Sequence, residues 1–226
     1  MQALTSELWI DTAPVSILGM RLTATMTAIR LPDGSLLLYS PLELTPERRA
    51  AVLELGPIRH LYAPNLYHHM WLGPWAEAFP DARVHAPPGL ASKRTDLRID
   101  REVGSASEPE PAFAGVLFEQ PILGFALAEI ALIHLSSQTL LCADLVHNIG
   151  RPSQPWARLY TKLMGFHDRV AISRMIRWGA FRDRSAARRS IDALLEQPFE
   201  RMVVGHGAPV ESGAKQALAS AYAWLS

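Results

Sequence analysis

The sequence contains little cysteine and no excess of charge of either sign. Cys142 is the only cysteine among the 226 residues, so an internal disulfide is excluded. Its place in the apolar run LLCAD predicts a small buried side chain, which is compatible with a reducing compartment. Twenty-two basic and 22 acidic residues give a formal net charge of +0, and this balance gives no indication of nucleic-acid binding.

Long uninterrupted apolar segments are also missing. The N-terminal residues MQALTSELWID lack the charged and apolar regions of a signal peptide. The most apolar long stretch, residues 113–135, is a poor transmembrane candidate because it contains Glu119, Gln120, Pro121 and Glu129. We therefore predict a soluble, cytoplasmic protein without a transmembrane segment.

The composition and the order of predicted elements indicate an α/β fold. Hydrophobic residues make up 49% of the chain and charged residues 19%, which is typical of a globular protein, most simply one domain over residues 1–226. A hairpin is predicted around Pro32-Asp33-Gly34, and strands then alternate with helices. Two sheets packed face to face with helices outside would explain this order, so we predict an αββα sandwich.

The segment 151–189 differs from the rest of the chain. It is rich in arginine, carries few acidic residues and places aromatic residues and methionines at helical spacings, so we predict a helical insert. Its arginines either form solvated helix faces or give a positive field that suits an anionic substrate or an anionic membrane surface. Its apolar residues belong either to the core or to an interface, so a homo-oligomer stays open.

Polar side chains follow three predicted strands at the points where the strands end. Asn65, His68 and His69 follow one strand in IRHLYAPNLYHHMWLG, Asp144 follows LLCA, and His206 follows RMVVG. Each residue alone could be an ordinary turn or cap residue. If the three strands share one rim of a sheet, however, three imidazoles and a carboxylate would meet there. Such a set predicts Zn, with Fe or Mn as alternatives, and not Ca or Mg.

These motifs resemble the metallo-β-lactamase superfamily, and more narrowly an uncharacterised branch of it marked by APNLYHHMWLG, IHLSSQTLLCADLVHN and the terminal GHG. The likeness extends over residues 26–210. It implies the αββα sandwich, a metal-activated water and hydrolysis of a small molecule. The Asp and Gly-His-Gly motifs match the superfamily well.

The first motif departs from the superfamily pattern, which is His-x-His-x-Asp-His. With its last histidine set on His69, the two leading histidines fall on Pro64 and Leu66, and the aspartate falls on His68. A further histidine of the superfamily corresponds to Phe125. The resemblance therefore implies one metal ion in place of two, held by His68, His69, Asp144 and His206.

We predict a hydrolase in which Asp144 accepts the proton of the metal-activated water. Asn65 and Glu129 could support the site from outside the ligand set, Asn65 otherwise being a turn residue and Glu129 otherwise facing solvent. Two alternatives stay open at this point. The residues could hold Fe(II) for oxygen chemistry, or the loss of ligands could leave a non-catalytic scaffold that binds a partner.

Overall fold

The computed structural model of the chain describes residues 1–104 and 106–225. The chain forms two compact units. The first consists of Met1–Ala13 and the described part of Thr25–Val116, and the second of Pro14–Ala24 and the described part of Leu117–Ser226. The predicted single domain over residues 1–226 stays a prediction.

The first unit is built on a seven-stranded sheet with the order β1-β2-β3-β4-β5-β6-β7. The β3–β4 pair is antiparallel, whereas β4, β5, β6 and β7 run parallel to one another. The strands are β1 (Gln2–Ala3), β2 (Leu8–Ile17), β3 (Met20–Arg30), β4 (Leu36–Tyr39), β5 (Ile58–Tyr62), β6 (Arg83–Ala86) and β7 (Arg101–Glu102). Residues 14–24, which form the ends of β2 and β3 and their turn, belong to the second unit.

Helices and turns in the first unit follow local sequence rules. The helices are α1 (Pro46–Leu53), α2 (Leu72–Ala78) and α3 (Leu90–Lys93), and a 3-10 turn covers Pro111–Phe113. Thr45 caps α1, because its hydroxyl accepts the Arg48 N–H at 3.2 Å and Pro46 occupies the first turn. All four residues of β4 are buried, as expected for a central strand with parallel pairing on one side.

The second unit is built on a four-stranded sheet with the order β11-β10-β9-β8. Its strands are β8 (Leu117–Pro121), β9 (Ile130–His134), β10 (Thr139–Leu141) and β11 (Arg201–Val203). Its helices are α4 (Pro155–Met164), α5 (Arg174–Gly179), α6 (Arg184–Glu196) and α7 (Ala214–Tyr222). Buried side chains from the sheet and from α6 and α7 form one core, which includes Ile133, Leu140, Ile191 and Leu218.

The largest difference from the predicted elements is at the N-terminus. The apolar pieces before residue 20 are short in the sequence and indicate only short edge strands, but β2 and β3 are long strands joined by Leu18 and Gly19. Both turn residues have positive φ, 51° and 76°, which is the two-residue turn that fits the twist of a hairpin. In the described parts of the chain, no helix is long and apolar enough to cross a membrane.

Candidate functional site

Asp144 and His206 are brought together by the pairing of two parallel strands. Leu141 pairs with Val203 in the β10–β11 register, and each predicted site residue lies three positions beyond the end of its strand. The carboxyl ends of both strands therefore meet at one edge of the sheet. His206 Nε2 lies 3.8 Å from Asp144 Oδ1, and both side chains are buried. This separation leaves room for a small ion that both atoms could bind.

The hydrogen bonds of His206 suit a metal ligand. Its Nδ1 lies 2.9 Å from the backbone oxygen of Thr23, a group that can only accept. Nδ1 therefore carries the hydrogen, and the lone pair of the neutral ring lies on Nε2, which is the nitrogen facing Asp144. A backbone carbonyl in this position is a usual orienting partner of metal-binding histidines.

The glycine after His206 is required by the backbone. Gly207 has a φ of +104°, and a Cβ atom there would lie 2.0 Å from the backbone oxygen of Asn148. Its N–H lies 3.3 Å from Thr23 Oγ1, close to the carbonyl that holds His206. The Gly-His-Gly motif thus presents His206 on a turn that tolerates no side chain at its second glycine.

Glu129 holds the backbone that carries Asp144. It is fully buried, so it does not face solvent, and its carboxylate accepts three backbone N–H groups. Oε1 accepts from Ala143 at 2.7 Å and from Leu145 at 3.2 Å, and Oε2 accepts from Asp144 at 2.8 Å. These contacts make Glu129 a positioning residue for the loop after β10.

A cavity of about 120 Å³ opens beside Asp144 and His206 in the second unit. Its other walls are mostly apolar and come from the β2–β3 turn region and from the arginine-rich segment: Ile17, Leu18, Met20, Leu22, His147, Ile149, Tyr160, Phe166, Ser173, Met175 and Ile176. The predicted helical insert therefore supplies part of the wall. A polar site with an apolar wall is the usual form of a small-molecule pocket.

Sequence reasoning missed His147, which lies in this cavity. Its ring centroid is 5.9 Å from that of His206 and 5.7 Å from that of Phe166, and the residue is 7% exposed. From the sequence alone, His147 is interpreted as an ordinary histidine in the loop after the site. The signal that could have found it is its position three residues after Asp144, in the same strand-end loop.

In the first unit, Asn65 shapes the loop that carries the two adjacent histidines. Asn65 is fully buried, and its Oδ1 accepts the backbone N–H groups of Tyr67 and His68, each at 2.8 Å. This is the side-chain-to-backbone turn that asparagine forms readily. Of the two predicted roles, the observed contacts of Asn65 are those of the turn residue.

His68 contacts a strained serine at the end of β4. Its Nδ1 lies 3.0 Å from Ser40 Oγ, and Ser40 is buried with a φ of +54°. A histidine that binds metal through Nε2 must carry hydrogen on Nδ1, and a serine hydroxyl can accept it. The left-handed backbone of a buried serine is an uncommon conformation that is found often at functional sites.

His69 has a different environment. Arg94 donates to its Nδ1 at 3.1 Å, and Arg94 is also held by Asp96. Burial, followed by the charges of Lys93 and Arg94, lowers the pKa of His69. The neutral ring therefore carries its hydrogen on Nε2, and this nitrogen is buried without a hydrogen-bond partner among the described residues. These contacts favour a donor role for His69 Nε2 over direct ligation.

A second cluster of side chains that could bind a metal lies inside the first unit, but neighbouring arginines already contact it. Ligand atoms of His60, His85 and Glu110 lie within 4.8 Å of one another. Arg83 forms a 2.6 Å ion pair with Glu110, and Arg101 contacts His85. Burial, and then the nearby positive groups, lower the pKa of His85 to about 2. Two arginines make this cluster unsuitable for a further cation, and we interpret it as structural.

Comparison with known proteins identifies the family and the fold. A family model described as "Domain of unknown function (DUF4336)" matches residues 6–190. Comparison with curated proteins gives no match. Among solved structures, a metallo-beta-lactamase from Pontibacter korlensis aligns with a TM-score of 0.66 and 14% sequence identity, covering 99% of this chain and 97% of that one.

Two further solved structures support the same fold. DIM-1 metallo-beta-lactamase exposed to ceftazidime has a TM-score of 0.65 and 11% identity, covering 100% of this chain and 96% of its own. FIM-1 metallo-beta-lactamase from Pseudomonas aeruginosa, in a mono-zinc form, has a TM-score of 0.63 and 13% identity, covering 98% and 93%. The predicted α/β fold of the metallo-β-lactamase type is therefore confirmed.

Proposed function

This chain belongs to the family described as Domain of unknown function (DUF4336), and from that premise we propose that it is a metal-dependent hydrolase of small molecules. The observation that carries the proposal is the pair formed by Asp144 and His206. Both are buried at the ends of paired strands, both line a cavity, and the imidazole is oriented with its lone pair toward the carboxylate.

The sequence predicts that His68, His69, Asp144 and His206 surround one ion, and of these we propose His68, Asp144 and His206 as direct ligands. Two imidazoles and one carboxylate suit Zn, with Fe or Mn as alternatives. A single ion is proposed, and FIM-1, one of the structures similar to this chain, is described in a mono-zinc form. Within the set, the Ser40 contact supports His68 as a ligand, whereas the Arg94 contact supports His69 as a hydrogen-bond donor.

The residues of the site define the proposed reaction. A bound divalent ion would supply an acidified water and would polarise a carbonyl or phosphoryl oxygen. Asp144 accepts the proton of the attacking water, and the Glu129 carboxylate, which accepts three backbone N–H groups of the Asp144 loop, keeps that loop in place. The apolar wall, which includes Tyr160, Phe166 and Met175, excludes water and favours a substrate with an apolar group.

The proposal is tested by hydrolysis assays with and without metal. Chelator-treated protein is assayed before and after addition of Zn, using a panel of small esters, thioesters, lactones and phosphoesters that carry apolar groups. We expect Zn-dependent turnover of at least one class. Asp144→Asn should abolish it, while His167→Gln, a change at a histidine outside the site, should leave it intact.

Zn titration distinguishes the proposed roles of His68 and His69. His68→Ala should weaken Zn binding at least tenfold, as expected for loss of a ligand or of its support. His69→Ala should lower turnover more than it lowers Zn affinity. Zn binding with no turnover of any class would support the non-catalytic alternative, and turnover that survives the chelator would contradict a metal-dependent mechanism.

A further inference from the structure

The positive charge of this neutral chain is concentrated in one segment. Residues 151–189 contain nine arginines and one lysine against two aspartates, although the whole chain has a formal net charge of +0. Such an excess creates a local positive potential that attracts anions. The proposed hydrolase mechanism uses none of these arginines.

Three of the arginines line a second cavity of the second unit. It has a volume of about 510 Å³, and we call it the arginine cavity. Its lining consists of Met164, Gly165, Arg169, Val170, Ala171, Ile172, Arg174, Arg177, Ala217, Ser220, Ala221, Ala223 and Trp224. No acidic side chain is among these residues, so the cavity combines three cations with an apolar wall.

The guanidinium groups have no carboxylate partner. Arg169 donates to the backbone oxygen of Gly165 at 2.8 Å, and Arg174 donates to that of Leu163 at 3.0 Å. Within the part of the chain that the structure describes, none of the three arginines forms an ion pair, and Arg177 Nε is buried with no hydrogen-bond partner. A buried donor without an acceptor is costly, and a bound anion beside the guanidinium would offset this cost through its charge.

The clustering also has an electrostatic cost. Burial and then the charges of Arg174, Arg169 and Arg184 lower the pKa of Arg177. The other three arginines therefore repel the charge of Arg177 in the absence of an anion. A ligand with negative charge would remove this repulsion, and planar guanidinium groups suit phosphate geometry better than lysine does.

An indole forms part of the wall beside these charges. The Arg177 guanidinium lies over the Trp224 ring, 4.4 Å from its centroid, and Val170 and Ile172 line the same cavity. This contact holds the guanidinium against the ring, and the remaining apolar surface can contact a hydrocarbon or aromatic group. The site therefore fits an anion that also has an apolar part.

We propose that the arginine cavity binds a phosphate-type anion that carries an apolar group. The cavity differs from the one that contains Asp144. Arg174 and Arg177 of α5 line the arginine cavity, whereas Met175 and Ile176 of the same helix line the cavity beside Asp144. The site goes beyond the proposed hydrolase function, and its occupancy requires no metal and no turnover.

Calorimetric titration of the full chain tests this site. The probes are inorganic phosphate and phenylphosphonate, whose carbon–phosphorus bond is not cleaved by ester hydrolysis. We expect phenylphosphonate to bind more tightly than phosphate. Arg174→Gln and Arg177→Gln should each weaken it about tenfold, the effect of losing a hydrogen bond to a charged group. Arg189→Gln, an exposed change in the same segment, is the matched control and should have little effect.

A vesicle-binding experiment distinguishes a lipid headgroup from a free small molecule as the source of the phosphate group. Vesicles with phosphatidic acid are compared with vesicles of phosphatidylcholine alone. Binding to the former that is lost in Arg174→Gln identifies a lipid headgroup as the source, whereas binding of phenylphosphonate without vesicle binding identifies a free small molecule. The proposal is overturned if neither probe binds, or if Arg189→Gln weakens binding as much as Arg174→Gln does. Arg174 is exposed, so its replacement by glutamine should leave the folding of the core unchanged.

Discussion

The replacement of Glu129 by glutamine tests how the Asp144 loop is held. The carboxylate accepts three backbone N–H groups, two at Oε1 and one at Oε2. Glutamine retains one oxygen but places an NH₂ group against at least one N–H. That donor is then left buried without an acceptor, and the remaining hydrogen bonds lose the help of the negative charge.

The expected cost follows from these contacts. A hydrogen bond to a charged group contributes about 1.5–3 kcal/mol, and an orphaned buried donor costs about 1–3 kcal/mol. We therefore expect Glu129→Gln to lower the free energy of unfolding by about 3 kcal/mol. For a chain of 226 residues, this corresponds to a melting temperature that is lower by about 6–12 °C.

Thermal unfolding followed by circular dichroism measures this change. Glu196→Gln is the matched control, because Glu196 is exposed at the end of α6. Its melting temperature should stay within about 2 °C of the unsubstituted chain, since most exposed substitutions change stability by less than about 0.5 kcal/mol. Equal melting temperatures for the two variants would refute the argument that the buried carboxylate holds this loop.

Two further predictions concern the turn after β11 and the buried histidine pair. Gly207→Ala should destabilise the chain by about 3 kcal/mol or more, because its Cβ would overlap the Asn148 oxygen, whereas Gly213→Ala, with open space around it, should cost only about 1–2 kcal/mol for its positive φ. Urea titration of both variants checks this difference, and equal losses would argue against the overlap. His85 has a pKa of about 2 in the folded chain and an ordinary value of 6.5, so below pH 6.5 the unfolded chain takes up a proton that the folded chain does not. The free energy of unfolding should therefore fall by up to about 1.4 kcal/mol per pH unit below pH 6.5, and His85→Phe should reduce this slope between pH 6.5 and pH 5.

The sequence was sufficient to predict the strand ends at which the candidate site residues lie. Asp144 and His206 each follow an apolar run, and a polar residue directly after such a run is a local signal. That the two runs pair in parallel, with Leu141 opposite Val203, is a long-range fact. The spacing of residues does not contain this pairing, and the resemblance to the superfamily implied only that Asp144 and His206 share one site.

Other features depend on contacts that no local pattern contains. From Asp11 onward the β2 strand alternates half-buried and exposed residues and includes Pro14, so its apolar signal was too weak to predict a long strand. The separate environments of His68 and His69 depend on Ser40 and Arg94, which lie about 25 or more residues away in sequence. The arginine cavity likewise requires Trp224, which the chain brings to Arg177 only after folding.

Metal content is the most direct test of the central claim. The protein is purified without a histidine tag or chelator, and metals per chain are determined by elemental analysis beside His206→Ala and His167→Gln. We predict about one Zn, Fe or Mn per chain in the unsubstituted protein and in His167→Gln, in line with a site of histidine and carboxylate ligands, and a loss in His206→Ala. Absence of metal after reconstitution, or metal that persists in His206→Ala, would contradict the assignment of Asp144 and His206 to a metal centre.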